Sequence, residues 1–394
     1  MLRVLLAAAL AVFATSAQAQ TLHPLAPQPV GVAWPGADWE TAPPPADVDR
    51  PAFDLAVTEV FAGVHPLMQE TRAVVIIQSG RIVFERYADG YTRDTRLNSW
   101  SMGKSFTHAL VGAAVLQGRV SIDTPMGNPA WRAGDRRASI TWRQWLQMVD
   151  GLDYQESAAD IANAGNARML FGDGRRDVIR WAAARPLLHD PGVHWNYTSA
   201  GTMLTADALT RVIVPNPRDA NDRRAQMRAW MNTALFDRIG AHPVVEFDPQ
   251  GTFYGSSLFW ATGRDYARFG YLYLRDGVWN GQRVLPEGWV DFGRTPGPAQ
   301  NTDTYGAQWW LTPPSGEGRP SRSLIVNPDL TDAFSAQGHE GQIIVVVPSK
   351  DFVLVRLGRF DGGGEAWNAM GDWAGRLIGA FGDRPQSGGS SNVR

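Results

Sequence analysis

The chain has 394 residues, 44% of them hydrophobic, with 16 Trp, 16 Phe, no Cys and a formal net charge of −2. So little net charge leaves no electrostatic footprint for nucleic acid or an anionic membrane, and neither partner is expected. The missing cysteine excludes disulfides, thiolate metal sites, a cysteine nucleophile and a lipid-bearing cysteine, so stability must come from packing.

The first residues, MLRVLLAAALAVFATSAQAQ, combine one basic residue, a short apolar run and Ala17-Gln18-Ala19. This pattern reads as a secretory signal peptide over 1–19, which makes the expected product exported, periplasmic or secreted, with no integral membrane segment. Residues 20–51 are rich in proline (PLAPQP, TAPPPADVDRP) and form an expected extended arm. The globular domain is expected over 52–383. It opens with a helix at FDLAVTEVFAGV and a β-hairpin made of RAVVIIQ and RIVFERY around Ser79-Gly80. A helix follows from Ser101 to about Gln117, stopped by Gly118, and helical, aromatic segments broken by Gly/Asp/Pro turns run on to RDYARFGYLYLRDG. Strands return at QIIVVVP and DFVLVRLGR, a second hairpin. The fold class is therefore α+β: an antiparallel sheet built from both ends of the domain, flanked by helices, with a helical insertion at about 105–270. The tail, 384–394, reads RPQSGGSSNVR and is expected to be disordered.

Of the 37 Lys and Arg residues only Lys104 and Lys350 are lysines. A guanidinium keeps its proton in a protein, whereas a desolvated ammonium can lose it, so SWSMGKSF draws attention to Lys104. A phosphate-loop reading of GKS needs glycine at position 98, which is Asn98, and a buried strand before it, where the chain is polar. The alternative is SxxK. On a helix Ser101 and Lys104 are neighbours, about 5 to 6 Å apart at Cβ, so the amine reaches the hydroxyl and acts as base while Ser101 acts as nucleophile. This role requires the lysine pKa to fall from about 10.4 to about 7 or 8, roughly 4 kcal/mol, which burial can supply. SxxK alone is a weak signal, since a surface lysine downstream of a serine arises by chance.

Two further segments strengthen it. HDPGVHWNYTSAG places Tyr197 after a Pro-Gly turn and before a helix, where a phenol can relay a proton to a leaving group. Tyr254-Gly255-Ser256 competes, but lies in a segment that reads as packing. SAQGHEGQIIVVVP then sets Gly338-His339-Glu340-Gly341-Gln342 before the most apolar strand, where glycine lets a substrate approach backbone N–H donors. A zinc helix of the HExxH type would need histidine at Ile343, so no metal or other cofactor is expected. His108 reads as packing.

With SMGK, YTS and HEG in that order, the sequence resembles the serine β-lactamase and penicillin-binding-protein superfamily, in its class C-related branch of family VIII esterases and 6-aminohexanoate-dimer hydrolases. SITWRQWLQMVDGLDY, YGAQWWL and GHEGQIIVVVPSKDFVLVRLG add to the likeness, which spans about residues 35 to 380. The resemblance implies a β-lactamase/transpeptidase-like fold and a serine hydrolase working through an acyl-enzyme. Ser101 would be acylated, Lys104 its base and Tyr197 the relay, with the backbone N–H groups of Ser101 and Gln342 as oxyanion hole. Where β-lactamases hold the substrate carboxylate with Lys-Thr-Gly, this chain has His339-Glu340-Gly341. Ser199 stands where class C enzymes carry Asn. Both departures favour small neutral or amine-bearing esters and amides over β-lactams. Ser199, His339, Glu340, Gly341 and Trp100 are the expected substrate contacts, with a β-lactamase, a D-Ala-D-Ala-type peptidase and a penicillin-binding-like module without turnover as the rival readings.

Overall fold

The computed structural model describes residues 24–299, 301–311, 330–361 and 363–384. Helix α1 (Arg50–Phe61) begins at Asp49, whose side chain accepts from Ala52 N–H, with Pro51 in the first turn where its missing N–H costs nothing. Strands β1 (Glu70–Gln78) and β2 (Arg81–Tyr87) form the expected hairpin. Helix α2 (Gly103–Leu116) carries Lys104. Helix α3 (Ser199–Ile213) and helix α4 (Gly263–Leu274) close the inserted region, α4 starting in a Thr262/Asp265 capping box. Strands β3 (Trp310–Leu311), β4 (Phe334–Gly338), β5 (Gln342–Val347) and β6 (Phe352–Arg359) lead to helix α5 (Gly364–Gly379).

These strands make one antiparallel sheet in the order β2-β1-β6-β5-β4-β3. Its centre joins the two ends of the domain, with Val75 opposite Val355 across β1 and β6. Successive side chains point to opposite faces. Val75, Ile77, Ile344, Val346, Val353 and Val355 pack towards α2, α3 and α4. Val74, Ile76, Ile343, Val345, Phe352 and Leu354 pack under α1 and α5, with Phe53 and Trp373. Both faces are dry, which is why QIIVVVP reads as an unbroken apolar run.

The arm lies along the free edge of β2: Ala42 N–H donates to Ile82 O, Ile82 N–H donates to Glu40 O, and the buried Trp39 donates to Gly80 O. A sheet edge is thereby covered. Several elements differ from the sequence expectation, β3 and β4 among them. The inserted region is not wholly helical, because its Val244–Val245 and Phe259–Ala261 form a small three-stranded antiparallel sheet with Leu97–Asn98, which precedes it. Helix α5 is also new; its buried Ala366, Met370, Trp373, Ala374 and Leu377 follow helical spacing, but four glycines dilute the signal. Arg384, at the start of the expected tail, is paired with Asp47, and residues 385–394 lie outside the described part, as does the 1–19 segment.

Candidate active site

Ser101 sits in a tight 3-10 turn, Trp100–Met102, that feeds directly into α2. Trp100 holds a left-handed backbone (φ 44), and the bend is fastened on both sides. Ser99 N–H donates to Phe259 O at 2.8 Å, Phe259 N–H donates to Ser99 Oγ at 3.2 Å, and Trp100 N–H donates to Asn98 Oδ1 at 3.2 Å. Gly103 is required by close approach: a Cβ there would stand 2.9 Å from Ser257 N. From Gly103 to Ala114 every side chain of α2 is buried, so the lysine one turn beyond Ser101 points into protein.

Lys104 is 1% exposed. Its Nζ lies 3.0 Å from Ser101 Oγ, 2.9 Å from Ser199 Oγ and 3.3 Å from the carbonyl of Ser256. Burial pushes its pKa down to about 8, and the negative charge of Glu156, 4.0 Å away, resists part of that fall. An uncharged amine is therefore well populated just above neutral pH, beside a half-buried serine hydroxyl. That pair is what removal of a proton from Ser101 requires.

Tyr197 stands over the same amine, its ring centroid 4.7 Å from Lys104 Nζ. The ring stacks on Trp310 at 5.3 Å, meets Tyr305 edge-on at 5.8 Å and touches Trp195, so its orientation is set by an aromatic cage. Tyr254, the competing tyrosine, is buried, yet its segment joins the site by another route: the Ser256 carbonyl accepts from Lys104. His108 is core, bonded to Tyr273 and stacked on Trp289.

His339–Gly341 does not continue a strand. It is a three-residue turn joining β4 to β5, with Glu340 left-handed (φ 62), so strand alternation does not decide which side chain faces the cleft. His339 is exposed and packs edge-on against Trp100, while Glu340 accepts from Trp100 Nε1 at 3.1 Å. Buried Arg356 donates to Gly341 O, and the Gln342 side chain donates to His339 O and Gly358 O, which pins the turn from behind. Gln342 is the cross-strand partner of Gly338, and Gly338 is pressed so closely on the turn that carries Ser101 that a Cβ would lie 2.2 Å from Ser99 O. The two predicted halves of the site thus meet through backbone.

Ser199 has a different post from the substrate contact expected of it. It is 1% exposed; its hydroxyl donates to Glu156 Oε1 at 2.6 Å and accepts from Lys104, and its N–H donates to Glu156 Oε2 at 2.8 Å. Glu156 was not legible in the sequence: it lies in an irregular loop, 43 positions from Ser199, with no period or motif to mark it. Among the described residues no group of three His, Asp or Glu side chains could hold a metal ion, and no helix is long and apolar enough to cross a membrane.

Residues 64–372 match the beta-lactamase family along most of the chain. The chain belongs to that family. It is a hydrolase of the β-lactamase fold, and its relatives reach beyond β-lactam chemistry. The 6-aminohexanoate-dimer hydrolase of Paenarthrobacter ureafaciens is 26% identical over 307 residues, covering 73% of this chain and 72% of that protein. A structure described as a putative 6-aminohexanoate-dimer hydrolase from Bacillus anthracis superposes with a TM-score of 0.63 at 19% identity, covering 92% of each chain. EstCE1, a hydrolase with promiscuous acyltransferase activity, superposes with a TM-score of 0.58 at 16% identity over 83% of this chain and 97% of its own.

Proposed function

We propose that this family member is an exported serine hydrolase that opens small esters or amides through an acyl-enzyme on Ser101. The observation that carries this reading is the buried Lys104 amine, 3.0 Å from the Ser101 hydroxyl and depressed to about 8. Neutral Lys104 takes the Ser101 proton as Oγ attacks the carbonyl carbon. The oxyanion that forms rests on backbone N–H groups, those of Ser101 and, across the cleft, of Gln342 at the end of the pinned turn. Losing one such donor costs about 100- to 1,000-fold in rate. Tyr197, caged over the amine, passes a proton to the departing alcohol or amine and later helps water attack the ester of Ser101. Trp100, His339 and Glu340 line the mouth and meet the substrate there.

Linear amides of the aminohexanoate type are the favoured amides, on two grounds: the named relative, and a carboxylate at Glu340, bonded to Trp100 and 3.9 Å from Arg359, where β-lactamases carry the lysine-bearing Lys-Thr-Gly. The β-lactamase and D-Ala-D-Ala-type peptidase reading is second, because the same carboxylate stands against their anionic substrates. Export rests on the leader-like residues 1–19. The test is intact mass after treatment with a fluorophosphonate probe. Wild type gains one adduct and Ser101→Ala gains none; labelling that survives the substitution removes Ser101 as nucleophile. Turnover of p-nitrophenyl butyrate with inert nitrocefin is the expected substrate pattern, and the reverse pattern moves the assignment to β-lactams.

A further inference from the structure

Lys104 Nζ lies within 3.3 Å of the oxygens of Ser101, Ser199 and Ser256, and a neutral amine has two hydrogens and one lone pair to share with them. Only one arrangement makes it a base for Ser101: both hydrogens must go elsewhere. The Ser256 carbonyl can only accept, so it takes one hydrogen. Ser199 is a hydroxyl and could either donate or accept, and here Glu156 decides. A carboxylate has no hydrogen to give; one oxygen of Glu156 takes the Ser199 N–H and the other takes the Ser199 O–H at 2.6 Å. With its single hydrogen committed, Ser199 Oγ can only accept from Lys104. Of the three oxygens, Ser101 is the one left to meet the lone pair.

We propose that Glu156, acting through Ser199, is a positioning residue that aims the lone pair of neutral Lys104 at the Ser101 hydroxyl. It touches no reacting atom. This inference rests on the acyl-enzyme reading above. The groups that face the network are Glu156 itself, the phenols of Tyr154, Tyr197 and Tyr305, and Asp150, which lies behind the first turn of α3 against Gly201. Burial holds Tyr154 and Tyr305 protonated throughout the working range, and burial pushes Asp150 up to about 7. Glu156 is the one whose charge acts on Lys104.

An amide at 156 reverses the polarity. Its oxygen takes the Ser199 N–H, its NH2 then donates to Ser199 Oγ, and the freed Ser199 hydrogen turns to the lysine lone pair. Lys104 would then donate a hydrogen to Ser101 instead of receiving one. Two effects follow in opposite directions. The plateau rate falls because the lone pair is misdirected, while the midpoint of the rise with pH moves lower because the charge that held the ammonium is gone.

The experiment is the rate of Ser101 labelling by a fluorophosphonate probe from pH 5 to 9.5, in full-length wild type, Glu156→Gln, Glu156→Asp and Ser199→Ala. Wild type rises through about 8. Glu156→Gln is expected to lose about 10- to 100-fold at the plateau, a share of what a general base supplies, with its midpoint shifted down. Ser199→Ala loses a similar factor without a downward shift, since the charge stays, and Glu156→Asp recovers part of the rate. A purely structural role would lower the labelled fraction and leave the midpoint in place. A Glu156→Gln plateau within about two-fold of wild type, or a loss with an unmoved midpoint, overturns the proposal. Should Glu156→Gln not fold, Ser199→Ala decides alone, and a rate within two-fold of wild type overturns it. Absence of Ser101 labelling in wild type strikes the acyl-enzyme reading instead.

Discussion

Lys104 and Lys350 make the point that rarity in composition is not chemistry. Both are buried, but Lys350 donates to Phe381 O and pairs with Asp383, an ordinary anchor for the chain end, whereas Lys104 faces hydroxyls and a carbonyl. Sequence spacing singled out Lys104 because SxxK pairs it with a serine one turn away, and the two side chains do meet. It could not supply Glu156, whose place depends on how a loop folds back onto α3. The depressed amine also leaves a mark on stability. The unfolded chain holds a proton on this lysine up to about 10.4, while the folded chain releases it at about 8. Between those values the unfolded state binds more protons, so stability rises with pH there, and below about 8 the full penalty, on the order of 3 kcal/mol, applies. Lys104→Met lacks this group. Wild type should therefore gain on Lys104→Met by that amount between pH 8 and 10.5, read from urea midpoints at matched pH; parallel curves would mean that the amine is not buried in solution.

At the level of elements, the site is a seam between the α2 mouth and the β4–β5 turn. Hydrophobic periodicity predicted α2, the first hairpin and the β5–β6 hairpin because each carries a strong local pattern. The two- and three-residue strands of the small sheet and the two-residue β3 carry almost none, being fixed by tertiary pairing. The shape of the HEG turn was not legible for a related reason: a left-handed Glu340 has no sequence signature, and the carbonyl contacts of Arg356 and Gln342 explain how it is held. Gly338 tests the seam. A methyl group there would overlap Ser99 O, so Gly338→Ala must push β4 away from the nucleophile turn. The expected result is a loss of about 1 to 3 kcal/mol in unfolding free energy, together with at least a ten-fold slower Ser101 labelling. An unchanged labelling rate would show that the turn and the nucleophile are not coupled.

At the scale of the whole molecule the two faces of the sheet have separate duties. One supports α2, α3 and α4, and so Lys104 and Ser199; the other is sealed by α1 and α5. Trp373, fully buried with its Nε1 donating to Ala56 O, ties α5 to α1 on the sealed face. Trp373→Ala should cost about 3 to 5 kcal/mol in thermal or urea unfolding, while the folded fraction is labelled at the wild-type rate. A slowed rate in the folded fraction would mean that the two faces communicate.

The pairing of β1 with β6 has a temporal side. Val75 waits for Val355, so translation must deliver 280 further residues before the central rung of the sheet can close, and α2 has no finished floor to rest on until then. Such distant partners make assembly slow. A chain cut before Phe352 would hold Ser101, Lys104 and Ser199 yet lack the central strand pair against which their helices pack.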